Sequence, residues 1–358
     1  MIYFIVIYIS VAALGFLDLT PRMRKICIFM SVLLLAALAG WRNMGGNDFY
    51  SYRDIYYGLT LNYMSSEPGY AFLNNLFSYL GFSFNGFLFA YSFTAIALLV
   101  SFIYKHTKYP AIALLFYMAT YFFFYNMVLN RQMMSMSLAL WAIYLWNKNK
   151  LYSVLCLAIG ASFHQSLLVL LPFLCIFEFL RHTRGKKYWI AFFTALTAAV
   201  IMFSPLQLFT FLDGIPVFSF IAKRTMHYFV NTGSYSLNIV EYIKMAAACL
   251  IILPWFKKIA ADKEHRIWLF FYITGVILLL WTRDIEILFR VFAYFDLSLV
   301  VLLPLCLHFF MGKFPARQRK PALTLIYIAA TILAVAAVSY RVMYFDNGIF
   351  LYYKFYFL

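Results

Sequence analysis

Long apolar runs, each cut short by a few polar residues, recur along the whole chain. A helix that crosses a bilayer needs about 20 consecutive apolar residues, within a range of roughly 17–25. By that measure the candidate spans are 2–18, 26–41, 83–104, 109–126, 131–146, 151–163, 165–180, 188–207, 240–256, 267–281, 289–310 and 321–340. Glu67–Gly81 has a different pattern. Tyr70, Leu73, Leu76, Phe77 and Leu80 recur at helical spacing, with Asn74, Asn75 and Ser78 between them. That segment predicts an amphipathic helix lying in a membrane interface.

The charges between the runs orient them. Arg22, Arg24 and Lys25; Lys105 and Lys108; Lys148 and Lys150; Arg181, Arg184, Lys186 and Lys187; Lys257, Lys258, Lys263 and Arg266; and Lys313, Arg317, Arg319 and Lys320 all fall in alternate loops. Those six loops hold 19 of the 29 basic residues. Basic loops mark the cytoplasmic side. With about twelve spans, both termini and the segment Glu67–Gly81 then lie outside.

Composition agrees with this pattern. The 358 residues are 65% hydrophobic and 12% charged, against about 25% charged in a soluble domain. The chain therefore reads as an all-α polytopic membrane protein. Residues 1–358 form a single transmembrane domain, with outer loops at about 42–82 and 208–239 contributing its site. The net charge of +16 is mostly inner-loop charge, so nucleic acid is not an expected partner. The first run has no basic segment before it and no small-residue cleavage site, and reads as a retained span. Cys27, Cys156, Cys175, Cys249 and Cys306 all sit in apolar runs and read as small buried hydrophobes.

The chemistry gathers in the outer loops. Trp41–Asp54 packs Arg42, Arg53, Asp48, Asp54 and Tyr52 around Gly45 and Gly46. Arg42 offers a planar donor fork for phosphate or carboxylate; the simpler reading is a capped helix end held by an Arg–Asp pair. Glu67-Pro68 is either ordinary helix capping or a carboxylate facing an outer cavity. Arg131, next to Gln132, starts a span from the outside. A cation there opposes the helix dipole unless an anion sits with it. His164 stands in an outer turn with few other polar groups and is the natural base near neutral pH. Arg283, Asp284, Glu286, Arg290, Tyr294 and Asp296 form either a further anion site or an internal ion-pair network.

Absences narrow the choice. The chain has no phosphate-binding glycine loop, no H-E-x-x-H, no G-x-S-x-G and no cluster at metal-ligand spacing. No metal or cofactor is expected. Several outer arginines among Asp, Asn and Tyr suit an anionic, lipid-borne substrate, such as a diphosphate carrying sugars.

The motif R-x-x-x-G-x-D-x-x-x-Y, read here as Arg42, Gly46, Asp48 and Tyr52, resembles the EpsG-like, Wzy-type polysaccharide polymerases. So, in order, do Glu67-Pro68-Gly69-Tyr70, Arg131-Gln132 before a small-residue span, Ser162-Phe163-His164-Gln165-Ser166, and Arg290 with Tyr294-Phe295 before Pro304. The resemblance covers about residues 26–310. It implies a GT-C-like helical fold in the bacterial inner (cytoplasmic) membrane and a site facing the periplasm or exterior. It also implies metal-independent transfer of a growing O-antigen, capsule or exopolysaccharide chain. The chain would pass from undecaprenyl diphosphate to an incoming lipid-linked repeat unit. Partners would be that lipid-linked oligosaccharide, the bilayer, chain-length regulators and flippases.

For such a reaction Arg131 and Arg290 are the first candidates to bind the diphosphate, followed by Arg42 and Arg283. His164 is the first candidate base, then Asp48, then Glu67. Tyr52, Tyr70, Gln132 and Tyr294 would hold sugars. The rivals are a flippase or transporter of lipid-linked oligosaccharide and an O-antigen ligase. Charge at outer helix ends, with no internal repeat, favours an enzyme opening at the surface.

Overall fold

A backbone in lipid has to satisfy its own hydrogen bonds, which a helix does within one segment. The computed structural model describes residues 1–17, 21–44, 47–59, 67–183, 186–214, 239–281 and 286–356, and among these it is helical throughout, with no strands. Among the described residues, six helical stretches are long and apolar enough to cross a membrane: Met23–Gly40, Phe84–His106, Pro110–Val128, Gln165–His182, Arg290–Met311 and Ala316–Tyr344. Ile2–Phe16, Lys150–Phe163 and Arg266–Trp281 are shorter apolar helices. Ala316–Tyr344 exposes Leu325, Ile328, Ile332 and Leu333. Apolar side chains presented outward along a whole helix suit lipid, not water. The chain is a multi-pass membrane protein.

The chain divides into two compact units, residues 1–168 with 303–358 and residues 169–302. The first unit begins with α1 (Ile2–Phe16), α2 (Pro21–Gly40) and the short α3 (Asn47–Tyr56). It continues through α4 (Pro68–Tyr79), α5 (Phe84–His106), α6 (Pro110–Tyr117), α7 (Asn130–Trp146) and α8 (Lys150–Phe163). α7 and α8 pack closely because small residues line their contact. Ser135 Oγ donates to the Gly160 carbonyl at 2.6 Å, and Ser153 Oγ donates to that of Ala142 at 2.7 Å. A Cβ on Gly160 would collide with Leu167. Small residues and interhelical hydroxyl bonds replace the hydrophobic drive that lipid does not supply.

The span expected at 109–126 is not a plain α-helix. α6 passes into a π-helix over Met118–Val128 and ends at Leu129, directly before α7. Side chains from elsewhere bond to the carbonyls along this stretch. Tyr8 Oη donates to Met118 O at 3.0 Å and Arg341 Nη1 to Ala119 O at 2.8 Å. Arg42 Nη1 donates to Asn126 O at 3.3 Å and to Ala39 O at 2.9 Å. The Arg42 side chain is wholly buried, at 0% exposure, with its guanidinium over the Phe49 ring. Burial pushes its pKa down to about 10, which leaves it charged at neutral pH.

The backbone around Arg42 is held as well. Asn85 Nδ2 donates to its carbonyl at 2.5 Å. The C-terminal segment lies alongside: Arg42 and Phe355 form an antiparallel bridge, Asn43 N donates to Lys354 O, and Tyr356 N donates to Trp41 O. Tyr353 Oη reaches the Leu38 carbonyl at 2.8 Å.

The second unit holds α9 (Leu170–His182), α10 (Lys186–Met202), α11 (Pro205–Asp213), α12 (Ile239–Ile252), α13 (Phe256–Ala261), α14 (Arg266–Trp281) and α15 (Glu286–Asp296). Phe270 is the hub of a ring cluster with Phe177, Trp189, Phe192 and Phe193. Gly275 lets α14 lie close on Phe295 of α15. Lys244 of α12 pairs with Asp296 at 2.7 Å. α16 (Leu299–Met311) continues the chain back into the first unit, which closes with α17 (Ala316–Tyr344).

Arg42→Met keeps the apolar stem and removes the donors. Leaving a buried carbonyl unsatisfied costs about 1–3 kcal/mol. The expected outcome is a fall of several degrees in thermal unfolding of the detergent-solubilised protein. An unchanged midpoint would contradict the pinning role.

Candidate active site

Glu67, Arg131 and His164 stand 64 and 97 residues apart in the chain and meet in one cluster. Glu67 precedes α4, where capping is the simple use for an acid. Pro68 does take the first helical position, but the Glu67 side chain makes no capping bond. Its two oxygens go elsewhere. Oε2 accepts from Arg131 Nη1 at 2.5 Å, and Oε1 faces His164 Nδ1 at 2.7 Å. The carboxylate side chain is only 8% exposed, while those of Arg131 and His164 are 26% and 27% exposed. The acid is therefore covered and the two cation-forming groups open outward.

Each member is held by its own element. Arg131 lies in the first turn of α7, aimed by the end of the π-helix. Its Nε donates to Tyr52 Oη at 3.2 Å, and its guanidinium lies 5.0 Å from the Tyr52 ring centre. Tyr91 Oη donates to the Arg131 carbonyl at 3.2 Å. His164 caps the C-terminal end of α8, with its N–H on the Gly160 carbonyl. α4 meets α8 where Gly69 faces Ser162, and a Cβ on Gly69 would collide with the Ser162 side chain. That close approach lets Glu67 reach His164.

α4 turns part of its apolar face inward: Leu73 and Phe77 are half-buried, while Leu76 and Leu80 are exposed. Tyr70 and Asn74 are buried with Glu67, while Phe72 is 64% and Tyr79 89% exposed. Pairing Glu67 with Arg131 and His164 fixes the rotation of the helix. Asn74 is then carried inward, where Nδ2 donates to the Tyr70 carbonyl at 2.9 Å. Tyr70 joins Tyr52 and Tyr91 in a tilted and edge-to-face ring set, and burial raises its phenol pKa. Among the described residues, Tyr70 Oη has no hydrogen-bond partner.

The other candidates fall elsewhere. Arg42 is wholly buried and presents no surface to a ligand. Gln132 is buried beside Arg131. Arg290 and Tyr294 lie on α15 in the second unit, Arg290 partly exposed and Tyr294 fully buried. The side chain of Asp48 and all of Arg283 lie outside the described residues, as do Gly45, Gly46 and most of the outer loop at 208–239. Among the described residues, no group of three or more His, Cys, Asp or Glu side chains is placed to hold a metal ion.

Sequence reading missed Tyr91, a ring in mid-span with nothing around it to single it out. It also missed the Gly69–Ser162 contact, although both residues sit inside motifs already picked out for other members.

These features define a class: a multi-pass helical membrane protein with a covered carboxylate shared by an arginine and a histidine, walled by tyrosines. The chain belongs to the EpsG family, whose model matches residues 25–355. That family comprises Wzy-like, polymerase-type proteins, which makes this a polysaccharide-polymerase-type membrane protein. No curated protein and no solved structure matches the chain.

Gly69→Ala should force α4 away from α8 and destabilise the protein by about 1–3 kcal/mol, the usual cost of overpacking. Ser162→Gly in the same chain should recover most of that loss, because the two changes act on one contact. Thermal unfolding of the three variants checks this; simple additivity would contradict the contact.

Proposed function

We propose that the protein polymerises a polysaccharide from lipid-linked repeat units, transferring the growing glycan from a polyprenyl diphosphate to the end sugar of an incoming unit. The fold is read as GT-C-like with about twelve crossings, and the site as facing the periplasmic or outer side of the bacterial inner membrane. One observation carries the reading: the Glu67 carboxylate joins Arg131 and His164 in a single cluster whose arginine and histidine are partly exposed. Family membership and the orientation implied by the basic loops support it.

The chemistry needs two things. A hydroxyl of the acceptor sugar attacks the anomeric carbon of the donor glycan. The new C–O bond forms as the bond to the diphosphate oxygen breaks, and the diphosphate leaves with the electron pair. Negative charge grows on that leaving group, and fixed guanidinium donors in a partly dry site stabilise it strongly. Arg131 fills this role in the first unit, with Nη2 free of hydrogen bonds among the described residues. Arg290 and Arg283 remain further candidates for binding diphosphate. The acceptor proton goes to His164 Nε2. Asp48 remains a second candidate base. Tyr52, Tyr70 and Gln132 support the sugar positions from within the first unit, Tyr294 is a further candidate, and Arg42 supports the frame of the first unit.

Positioned general-base catalysis contributes about 10²–10⁴-fold. Purified protein in nanodiscs, given a synthetic lipid-diphosphate repeat unit, should make a ladder of longer products. His164→Ala should lower the turnover rate by about 10²–10⁴-fold, and Arg131→Ala should lose long chains altogether. Absence of any ladder with wild-type protein, or normal chains from both variants, would sink the reading.

A further inference from the structure

We infer that Glu67 is a positioning residue, not the base, and that it serves the donor and acceptor halves of the site at once. This rests on the polymerase reading above. The geometry is specific. A base needs an oxygen free to face the acceptor hydroxyl. Glu67 has none, because Oε2 is bonded to Arg131 at 2.5 Å and Oε1 to His164 at 2.7 Å. The side chain is also the most covered member of the cluster.

An ionised carboxylate can only accept hydrogen bonds. The contact with Oε1 therefore puts the proton of the neutral imidazole on Nδ1. Nε2 is left with its lone pair, and among the described residues it has no partner. That is the tautomer able to take a proton from an acceptor hydroxyl, and the carboxylate then stabilises the imidazolium that forms. The arrangement is the familiar one in which a buried acid orients a histidine base.

The second oxygen does a separate job. Arg131 is gripped from two sides, by Glu67 on Nη1 and by Tyr52 on Nε. A planar guanidinium held at two of its nitrogens can turn only its remaining edge to a ligand. Glu67 thus aims the donor-binding edge while it sets the tautomer of the base. The two substrates bind to groups that share one carboxylate.

The test uses the full chain in nanodiscs with a synthetic lipid-diphosphate repeat unit, comparing Glu67→Ala, Glu67→Gln and His164→Ala. Glu67→Ala should lower kcat by about 10²–10³-fold without raising KM for the lipid substrate, since Arg131 keeps its charge and loses its competitor. Glu67→Gln, whose amide oxygen can still accept from Nδ1, should recover at least 10-fold of that loss. Nitrogen-15 NMR of histidine-labelled protein gives a readout that does not depend on turnover. The unprotonated nitrogen of His164 should be Nε2 in wild type and in Glu67→Gln, with a tautomer mixture in Glu67→Ala. Wild-type kcat in Glu67→Ala, with His164→Ala inactive, would overturn the positioning role and leave the polymerase reading standing. Full activity in His164→Ala would locate the failure in the base assignment itself. An unchanged tautomer in Glu67→Ala would overturn the role even if that variant were inactive.

Discussion

The first unit is organised around a problem in electrostatics: a carboxylate with almost no access to water must have partners. Isolated burial of a charge is prohibitively costly, and pairing with directed hydrogen bonds is what makes it tolerable. Glu67 meets the condition with both oxygens, and the surrounding elements follow from it. α4 rotates until its acid faces α7 and α8, which draws Asn74 inward and turns Phe72 and Tyr79 out. Gly69 is needed because that rotation brings α4 down onto Ser162. Tyr52 and Tyr91 then steady the arginine from two sides.

Beneath the cluster lies a second constraint. A π-helix widens the backbone spiral and is usually kept where function needs it. Here it runs for eleven residues, and its end sets the start of α7 and so the place of Arg131. Tyr8, Arg341 and Arg42 reach it from three other segments. Arginine is well suited to such work, since its fork can bond to several carbonyls at once. Arg42 and Arg131 thus look alike in sequence, each next to an apolar run. One has become framework and the other faces outward.

The multi-pass helical class was legible from hydropathy alone, because lipid imposes a length and a pattern that little else in a chain imitates; of about twelve expected spans, six are long and apolar enough to cross among the described residues. The Glu67, Arg131 and His164 motifs could each be picked out, but not joined. Their meeting depends on helix rotation and on one close contact, neither of which leaves a periodic trace. The facing of α4 was legible only in part, since apolar spacing points a helix toward lipid as readily as toward a core, and the burial of Asn74 left no such trace. Tyr91 was invisible because an aromatic ring within an apolar span is ordinary until its hydroxyl is seen to reach the Arg131 carbonyl. The burial of Arg42 could not be read because charge in a sequence normally signals exposure.

The bridge between Trp41–Asn43 and Lys354–Tyr356 has a consequence for biosynthesis. Asn43 and Lys354 of this bridge lie 311 residues apart. At about 5–20 residues per second, the floor under the cluster waits on the order of tens of seconds after Arg42 leaves the ribosome before its last partner exists. During that interval α2 is already in the bilayer with a charged guanidinium at its end. The contact between Arg42 and Phe355 can form only after the intervening chain has been made.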